Sequence, residues 1–339
     1  MIRTIIKWGF WILLAGFLLR VFVCQVEKID SFKMSSSVLP GDRVIIGKLA
    51  SGSRFPSSIL GLPGADKAYL DWFRIPTFRF PGFRKFKNDD VVAFNDPRLA
   101  DNPIDRKAIL ISRIAGLPSD TLIIWNKDLY INRILIDPPD ACRRIYRVVT
   151  DGSDIPLDFL KKHNVERALK IPGVPMWDIH LDTVAYTDLK DKPFVNNIRS
   201  MKMYPNDSSL GYWPYSSHHM WNRDQVGPLI VPYAGQVVEI NIGNIDRFKD
   251  IIEIYENNDL RIDFAGVYIN GLQVESYTIK KDYFFLLDDN RDNPVDSRII
   301  GFIPKDHLLG QVKRILYSGK SDFDYLPSFR LKRLLRKIQ

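Results

Sequence analysis

The stretch that decides the fold is Asp288–Gly310, "DDNRDNPVDSRIIGFIPKDHLLG", which follows the apolar run "YFFLL". Its first eleven residues hold four aspartates, two arginines and two asparagines. Such a run is unfavourable as a loop unless its charges pair with one another or with partners elsewhere. Asp296 with Arg298 and Asp289 with Arg113 are natural pairs. On its own, the stretch reads as a knotted polar turn bracing two strands.

Working outward, strand signals dominate. "DRVIIGKL", "DVVAFN", "ILISRIAG", "TLIIW", "LYINRIL", "VVEINI", "VYING" and "YFFLLDD" are short, β-branched or aromatic, and bounded by turn residues. "DLYINRIL" (Asp128–Leu135) and "GVYINGLQV" (Gly266–Val274) share Tyr-Ile-Asn before a turn, and both read as hairpins. The roughly 130 residues between them read as an insertion that leaves a sheet and returns to it. The one good amphipathic helical pattern is Asp246–Asn257, with Phe248, Ile251, Ile252 and Tyr255 on one face. The expected fold is mostly β, a large antiparallel sheet core with an inserted α+β domain. Residues 50–86 are a Pro/Gly-rich, aromatic excursion, either a loop packed on the sheet or a surface that dips into lipid. The basic tail, 319–339, reads as a surface helix on anionic lipid or a solvated end.

The N-terminus carries "WGFWILLAGFLLRVFVC", Trp8–Cys24, 17 residues with one charge, Arg20. It is short but acceptable for a membrane span, and Arg20 can snorkel to the interface. Arg3 and Lys7 precede it, so the positive-inside rule leaves residues 1–7 in the cytoplasm and exports the rest. "VFVC" is a poor cleavage site, which favours an uncleaved anchor over a signal peptide. This places the chain in the cytoplasmic membrane with its bulk in the periplasm. The domain expectation is a β core of 25–135 with 264–318, and an inserted domain of 136–263.

The 339 residues are 45% hydrophobic, enough for a sizeable core, and the net charge is +8. No nucleic-acid motif accompanies that charge, so nucleic acid is not an expected partner. Two cysteines, Cys24 and Cys142, are too few for a disulfide framework. The five histidines show no metal-ligand spacing, and neither metal nor cofactor is expected.

Four stretches together resemble bacterial signal peptidase I. "DDNRDNPVDSRIIGFIPKDHLLG" is similar to that family's G-D-N-R-D-N-S-x-D-S-R-x-x-G-x-V-P box, and "SRIAGLPSD" to its K-R-x-x-G-L-P-G-D box. "NDDVVAFN" resembles R-G-D-[IV]-V-V-F, and "KMSSSVLPGDRVIIGKL" resembles S-M-x-P-T-L-x-x-G-D. Order and spacing agree, and so does the single N-terminal anchor. "VGPLIVPYAGQ" and "VYINGLQVESYTIKKDYFFLLDDNRDN" look like the long second domain of the Bacteroidetes branch.

The resemblance implies a membrane-anchored serine endopeptidase with a Ser/Lys dyad, in which a deprotonated lysine activates the serine and a neighbouring serine hydroxyl helps form the oxyanion hole. Counted back from Gly41-Asp42, the nucleophile's position falls on Lys33, with Met34 on the motif's methionine and Ser31 on the oxyanion-hole serine. The general base's position falls on Ser112, beside a matching Arg113. The serine that orients the base falls on Pro294. Nucleophile and base are thus exchanged. A working exchanged dyad is disfavoured, because serine is roughly 4 Å shorter than lysine and its hydroxyl would lie below the cleft floor. Ser35 and Ser36 are alternative nucleophiles only after a slip that breaks the match at Met34; with Ser37 they read as turn residues bonding nearby backbone. Restoring the family pattern calls for Lys33→Ser with Ser112→Lys, and Pro294→Ser in addition.

The implied function is a signal peptidase I family protein of the export pathway that binds or assembles without catalysis. Its expected partners are signal peptides or exported preproteins, an active homologue or the export machinery, and membrane lipid. The alternative is an active signal peptidase with an atypical dyad. A third is a structural subunit that binds no signal peptide.

Overall fold

The computed structural model describes residues 2–35, 37–49, 51–55, 78–98, 102–140, 142–205, 207, 211–216, 218–319 and 329–338. Residues 56–77 of the aromatic excursion, Ser36, and 320–328 of the tail lie outside the described residues.

The N-terminal helix, Ile2–Leu18, continues as a wider helical turn over Leu19–Val23. Arg3–Val23 is 21 residues of mean hydropathy 1.8, with none of it buried against the rest of the chain. At about 1.5 Å per residue it is roughly 30 Å long, the thickness of a bilayer core. The helix begins earlier than the apolar run from Trp8 suggests, so Arg3 and Lys7 lie on it rather than before it.

The core is a seven-stranded antiparallel sheet. Its spatial order is Cys24–Lys28, Asp42–Gly47, Leu308–Ser318, Val91–Asn95, Ile109–Gly116, Tyr283–Leu287 and Ile303–Pro304. Val91–Asn95 and Tyr283–Leu287 are buried on both faces, which is why they read as continuous apolar runs. Each fully buried aliphatic or aromatic side chain there contributes about 1.5–3 kcal/mol. Leu308–Ser318 crosses Asp42–Gly47 so closely that a side chain at Gly310 would collide with the Gly47 carbonyl.

A second sheet joins Gln225–Ile230, Thr121–Trp125, Asp128–Ile131 and Ile134–Ile136. Both anticipated hairpins form. Asn132 and Arg133 turn the first, Asn270 and Gly271 the second, all with positive φ. The Asp246–Asn257 pattern is realised as short helical turns, Ile245–Arg247 and Ile251–Tyr255, that bury Ile251, Ile252 and Tyr255.

Part of the 136–263 segment forms a sheet of its own. A separate sheet of Arg144–Thr150, Ala168–Lys170, Met176–Leu181 and Val195–Ser200, with helices Leu157–Lys162 and Thr183–Lys190, has its own apolar cluster around Val148, Phe159, Ile179 and Leu189. Residues from Gln225 onward pair with Thr121–Trp125 and pack Val226, Leu229, Val238 and Ile252 with Phe285 and Phe302. They belong with the core.

Over 329–338 the basic tail folds back on the core through Arg330, Arg333 and Ile338, while Leu331, Leu334 and Leu335 stay exposed. Arg333 donates to both oxygens of Asp42 (Nη2–Oδ2 2.6 Å, Nε–Oδ1 3.1 Å) and to the Ser37 carbonyl at 3.1 Å. Arg330 reaches the Pro40 carbonyl at 2.5 Å, and Ile338 is buried in the core. Asp42, fully buried, also accepts from Leu39 N and Ser318 Oγ. The tail therefore locks the Pro40-Gly41-Asp42 turn, where Gly41 takes a φ of 86°. Arg333→Ala leaves a buried carboxylate short of its main cation and is expected to destabilise the fold by about 3 kcal/mol. Arg330→Ala should cost less. Urea unfolding in detergent checks this, and an Arg333→Ala variant as stable as wild type would contradict it.

Candidate active site

The sheet register brings the motifs together. Leu287 lies opposite Arg113, so the chain leaves its strand beside Ser112. Ser112 and Arg113 then point to opposite faces. Ser112 Oγ donates to Asp288 Oδ1 at 2.5 Å. Arg113 donates to Asp289 through Nε (2.9 Å to Oδ1) and Nη2 (3.0 Å to Oδ2). Ser37 Oγ donates to Asp289 Oδ2 at 2.6 Å and accepts from Arg113 Nη2 at 3.2 Å. Asn290 N donates to the Lys33 carbonyl at 2.9 Å, and Asp289 N lies 3.4 Å from Met34 Sδ. The serine-rich knot, the central strand and the acidic turn are thereby stitched into one buried body.

Asp289, Asp292, Asp296 and Arg298 of the acidic turn are in ion pairs. Asp296 accepts from Arg298 at 3.0 Å (Nε) and 2.7 Å (Nη2). Burial alone would lower the Arg298 pKa, and the charge and hydrogen bonds of Asp296 carry it above its ordinary value instead. Asp296 Oδ2 also accepts from Asp288 N at 2.9 Å. Arg113 is likewise raised: burial opposes its charge, and the hydrogen bonds and charge of Asp289 outweigh burial. Lys127, nearby and buried, is held by Asp292 and Asp224, with burial lowering its pKa.

Asp288 is the residue that the sequence did not single out. The family box quoted above has glycine at its position. Its Oδ1 accepts from Ser112 and its Oδ2 from Val295 N at 2.9 Å, next to the buried Pro294. Burial, and then the neighbouring Asp296, push its pKa up to about 7, although Ser112, Val295 N and the charge of Lys33 pull the other way. The signal was in plain view as a fourth aspartate where the motif begins. Its partner is 176 positions away, and only the register supplies it.

Ser31 and Lys33 line a small cleft of about 60 Å³ with Met34, Val38, Ile109 and Ile111. Lys33 is half-buried there, while Ser112 is almost wholly buried. So Ser31 and Lys33 come together at the cleft, whereas Ser112 is buried, does not line it, and turns its hydroxyl to Asp288. Ser35 is buried, and its hydroxyl has no partner among the described residues. Ser36 lies outside the described residues. The reading of these serines as backbone-bonding turn residues is corrected at Ser37, whose hydroxyl serves the Arg113–Asp289 pair.

The inserted unit braces the turn from the far side. Arg143 N donates to the Asp289 carbonyl at 2.7 Å, and Arg291 N donates to the Arg143 carbonyl at 2.9 Å. The Arg143 guanidinium holds the carbonyls of Asn164 (2.7 Å) and His163 (2.9 Å). Asn290 Nδ2 donates to Glu166, which His180 Nδ1 meets at 2.7 Å.

The family described as "Signal peptidase, peptidase S26" matches residues 2–167 and 231–317. Proteins named signal peptidase I are similar along most of the chain. That of Buchnera aphidicola (subsp. Baizongia pistaciae) is 24% identical over 305 residues, 89% of this chain and 73% of its own length. That of Buchnera aphidicola (subsp. Schizaphis graminum) is 23% identical over 325 residues, covering 94% and 76%. That of Haemophilus influenzae is 22% identical over 333 residues, covering 97% and 74%. The match runs through the helix, the central sheet and the acidic turn, and on that evidence the chain belongs to the signal peptidase family, peptidase S26.

Proposed function

We propose that this chain is a non-catalytic, membrane-anchored member of the family that binds signal peptides or exported preproteins, as a binding or assembly subunit beside an active homologue or the export machinery. Its helix would cross the cytoplasmic membrane with Arg3 and Lys7 on the cytoplasmic side and the sheet in the periplasm. The hydrogen bond from Ser112 to Asp288 carries the reading. It puts a carboxylate where the dyad needs an amine base. At the nucleophile's position Lys33 offers an amine where a hydroxyl is required. Attack by an amine on a peptide carbonyl yields another amide, which water does not release at a useful rate, so no turnover follows. Loss of a dyad member typically costs up to about 10⁶ in kcat. The cleft beside Ser31 and Lys33 has room for a small side chain, which suits the small residue that ends a signal peptide.

One observation favours the atypical enzyme. Asp288, at about 7, is poised as a base for Ser112. Against it, Ser31 lines the cleft at Lys33, and Ser112 is buried and does not line that cleft. Oxyanion donors aimed from position 31 would miss attack from position 112.

Two predictions follow from Asp288. Lys33→Ser with Ser112→Lys, sufficient on sequence grounds, is expected to stay inert, because the new lysine meets the Asp288 carboxylate and is held charged. Adding Asp288→Gly should release it and raise cleavage of a preprotein at least about tenfold over the double variant, with Pro294→Ser raising it further. The reading fails if wild type cleaves within about a hundredfold of an active family member, or if the double variant matches the triple.

The second concerns pH. The folded protein keeps a proton on Asp288 that the unfolded chain releases, so this group's contribution to stability is greatest below pH 4. It declines as pH rises from about 4 to about 7 and is flat above. Asp288→Asn removes that decline. Relative to wild type, the variant should gain more thermal stability at pH 8 than at pH 5. A difference independent of pH would contradict the assignment.

A further inference from the structure

At the outer end of the helix, a separate cavity of about 100 Å³ is lined by Lys48, Arg54 and Arg79 with Val21, Gln25 and Asn95. Lys48 Nζ donates to the carbonyls of Arg20 (2.9 Å) and Val21 (3.4 Å), in the last turn of the helix. Arg54 donates to the Asp306 carbonyl (3.0 Å) and to Asn95 Oδ1 (2.8 Å). Arg79 donates to the carbonyls of Ser51 (3.2 Å), Asp306 (3.4 Å) and Leu308. Its Nε is buried without a partner among the described residues. All three cations rest on neutral acceptors; among the described residues none forms an ion pair with a carboxylate. Asp105 also lines the cavity, and Asp306 is shared with Lys281 and His307. Burial, and then their neighbours' positive charge, lower Lys48 to about 8 and Arg54 to about 10, while burial lowers Arg79.

Three largely buried cations facing one cavity are costly unless an anion joins them. Arginine forks match the geometry of a phosphate. The position selects the source. The cavity opens beside the end of the apolar helix, where lipid headgroups lie. Phe22, at that end, packs on Phe55 and Phe80, and Phe55 stacks on Phe78 at 5.2 Å. Phe78 is 52% and Phe83 88% exposed, an apolar fringe suited to acyl chains.

We propose that Lys48, Arg54 and Arg79 form a binding site for the phosphate of an anionic phospholipid, which seats the sheet on the membrane surface. The site shares only the Ile109 wall with the Lys33 cleft, and its test does not involve peptide cleavage. Full-length protein is purified in mild detergent. It is titrated with phosphatidylglycerol, with phosphatidylcholine and with inorganic phosphate while its melting temperature is followed. Native mass spectrometry counts retained lipid. Phosphatidylglycerol should raise the melting temperature by about 5 °C at saturation and be retained severalfold over phosphatidylcholine. Arg54→Gln with Arg79→Gln should abolish both effects and, with the unpaired charge relieved, melt no lower than wild type in lipid-free detergent. If that double variant does not fold, Lys48→Gln, on the rim beside the helix, should weaken retention at least threefold. Equal retention of the two lipids, an equal shift with inorganic phosphate, stabilisation only by an acidic preprotein segment, or undiminished lipid selectivity in the variants would overturn the proposal.

Discussion

The ion pair between Arg113 and Asp289, closed by the Ser37 hydroxyl, joins three segments that are far apart in the chain. Arg113 sits mid-strand, Asp289 begins the acidic turn, and Ser37 ends the serine-rich knot. Each group is buried, and each would be expensive alone. Together they fix where the knot sits on the sheet, and so where Lys33 and Ser31 face the cleft. This clamp and the Asp296–Arg298 pair together hold the acidic turn on the sheet.

Two further elements hold the clamp in place. The tail closes the Pro40-Gly41-Asp42 turn through Arg330 and Arg333, below the knot. The inserted unit grips Asp289–Arg291 through the backbone of Arg143, and the guanidinium of Arg143 holds carbonyls and Asp182 of its own unit. The result is a rigid cleft floor in which Asp288 replaces a residue without a side chain. A carboxylate there and a lysine at position 33 make a consistent pair of changes. Asp288 lies near enough to Lys33 to feel its charge, while burial and Asp296 keep the carboxyl protonated up to about pH 7.

Much of this was legible in the sequence. Strands, hairpins and the apolar helix follow from local pattern. The pairs Arg113–Asp289 and Asp296–Arg298 follow from the need to neutralise a crowded acidic run. What was not legible depends on distant partners. Asp288 reads as one more acid of the run until the register sets it against Ser112. The tail reads as solvated because a basic stretch carries no sign of the buried Asp42 that it meets. The return of 225–263 to the core was hidden because Gln225–Ile230 pairs with a strand about a hundred residues earlier.

The account's central claim is that the cleft holds a peptide and leaves it whole. The most direct test places a photocrosslinker on the small residue that ends the signal peptide of a preprotein. The preprotein is then incubated with the full-length protein in membranes. The expected result is crosslinking to residues 29–38 and 109–111, with the preprotein recovered uncut and no acyl adduct on Ser112. Cleaved product, or an acylated Ser112, would contradict it.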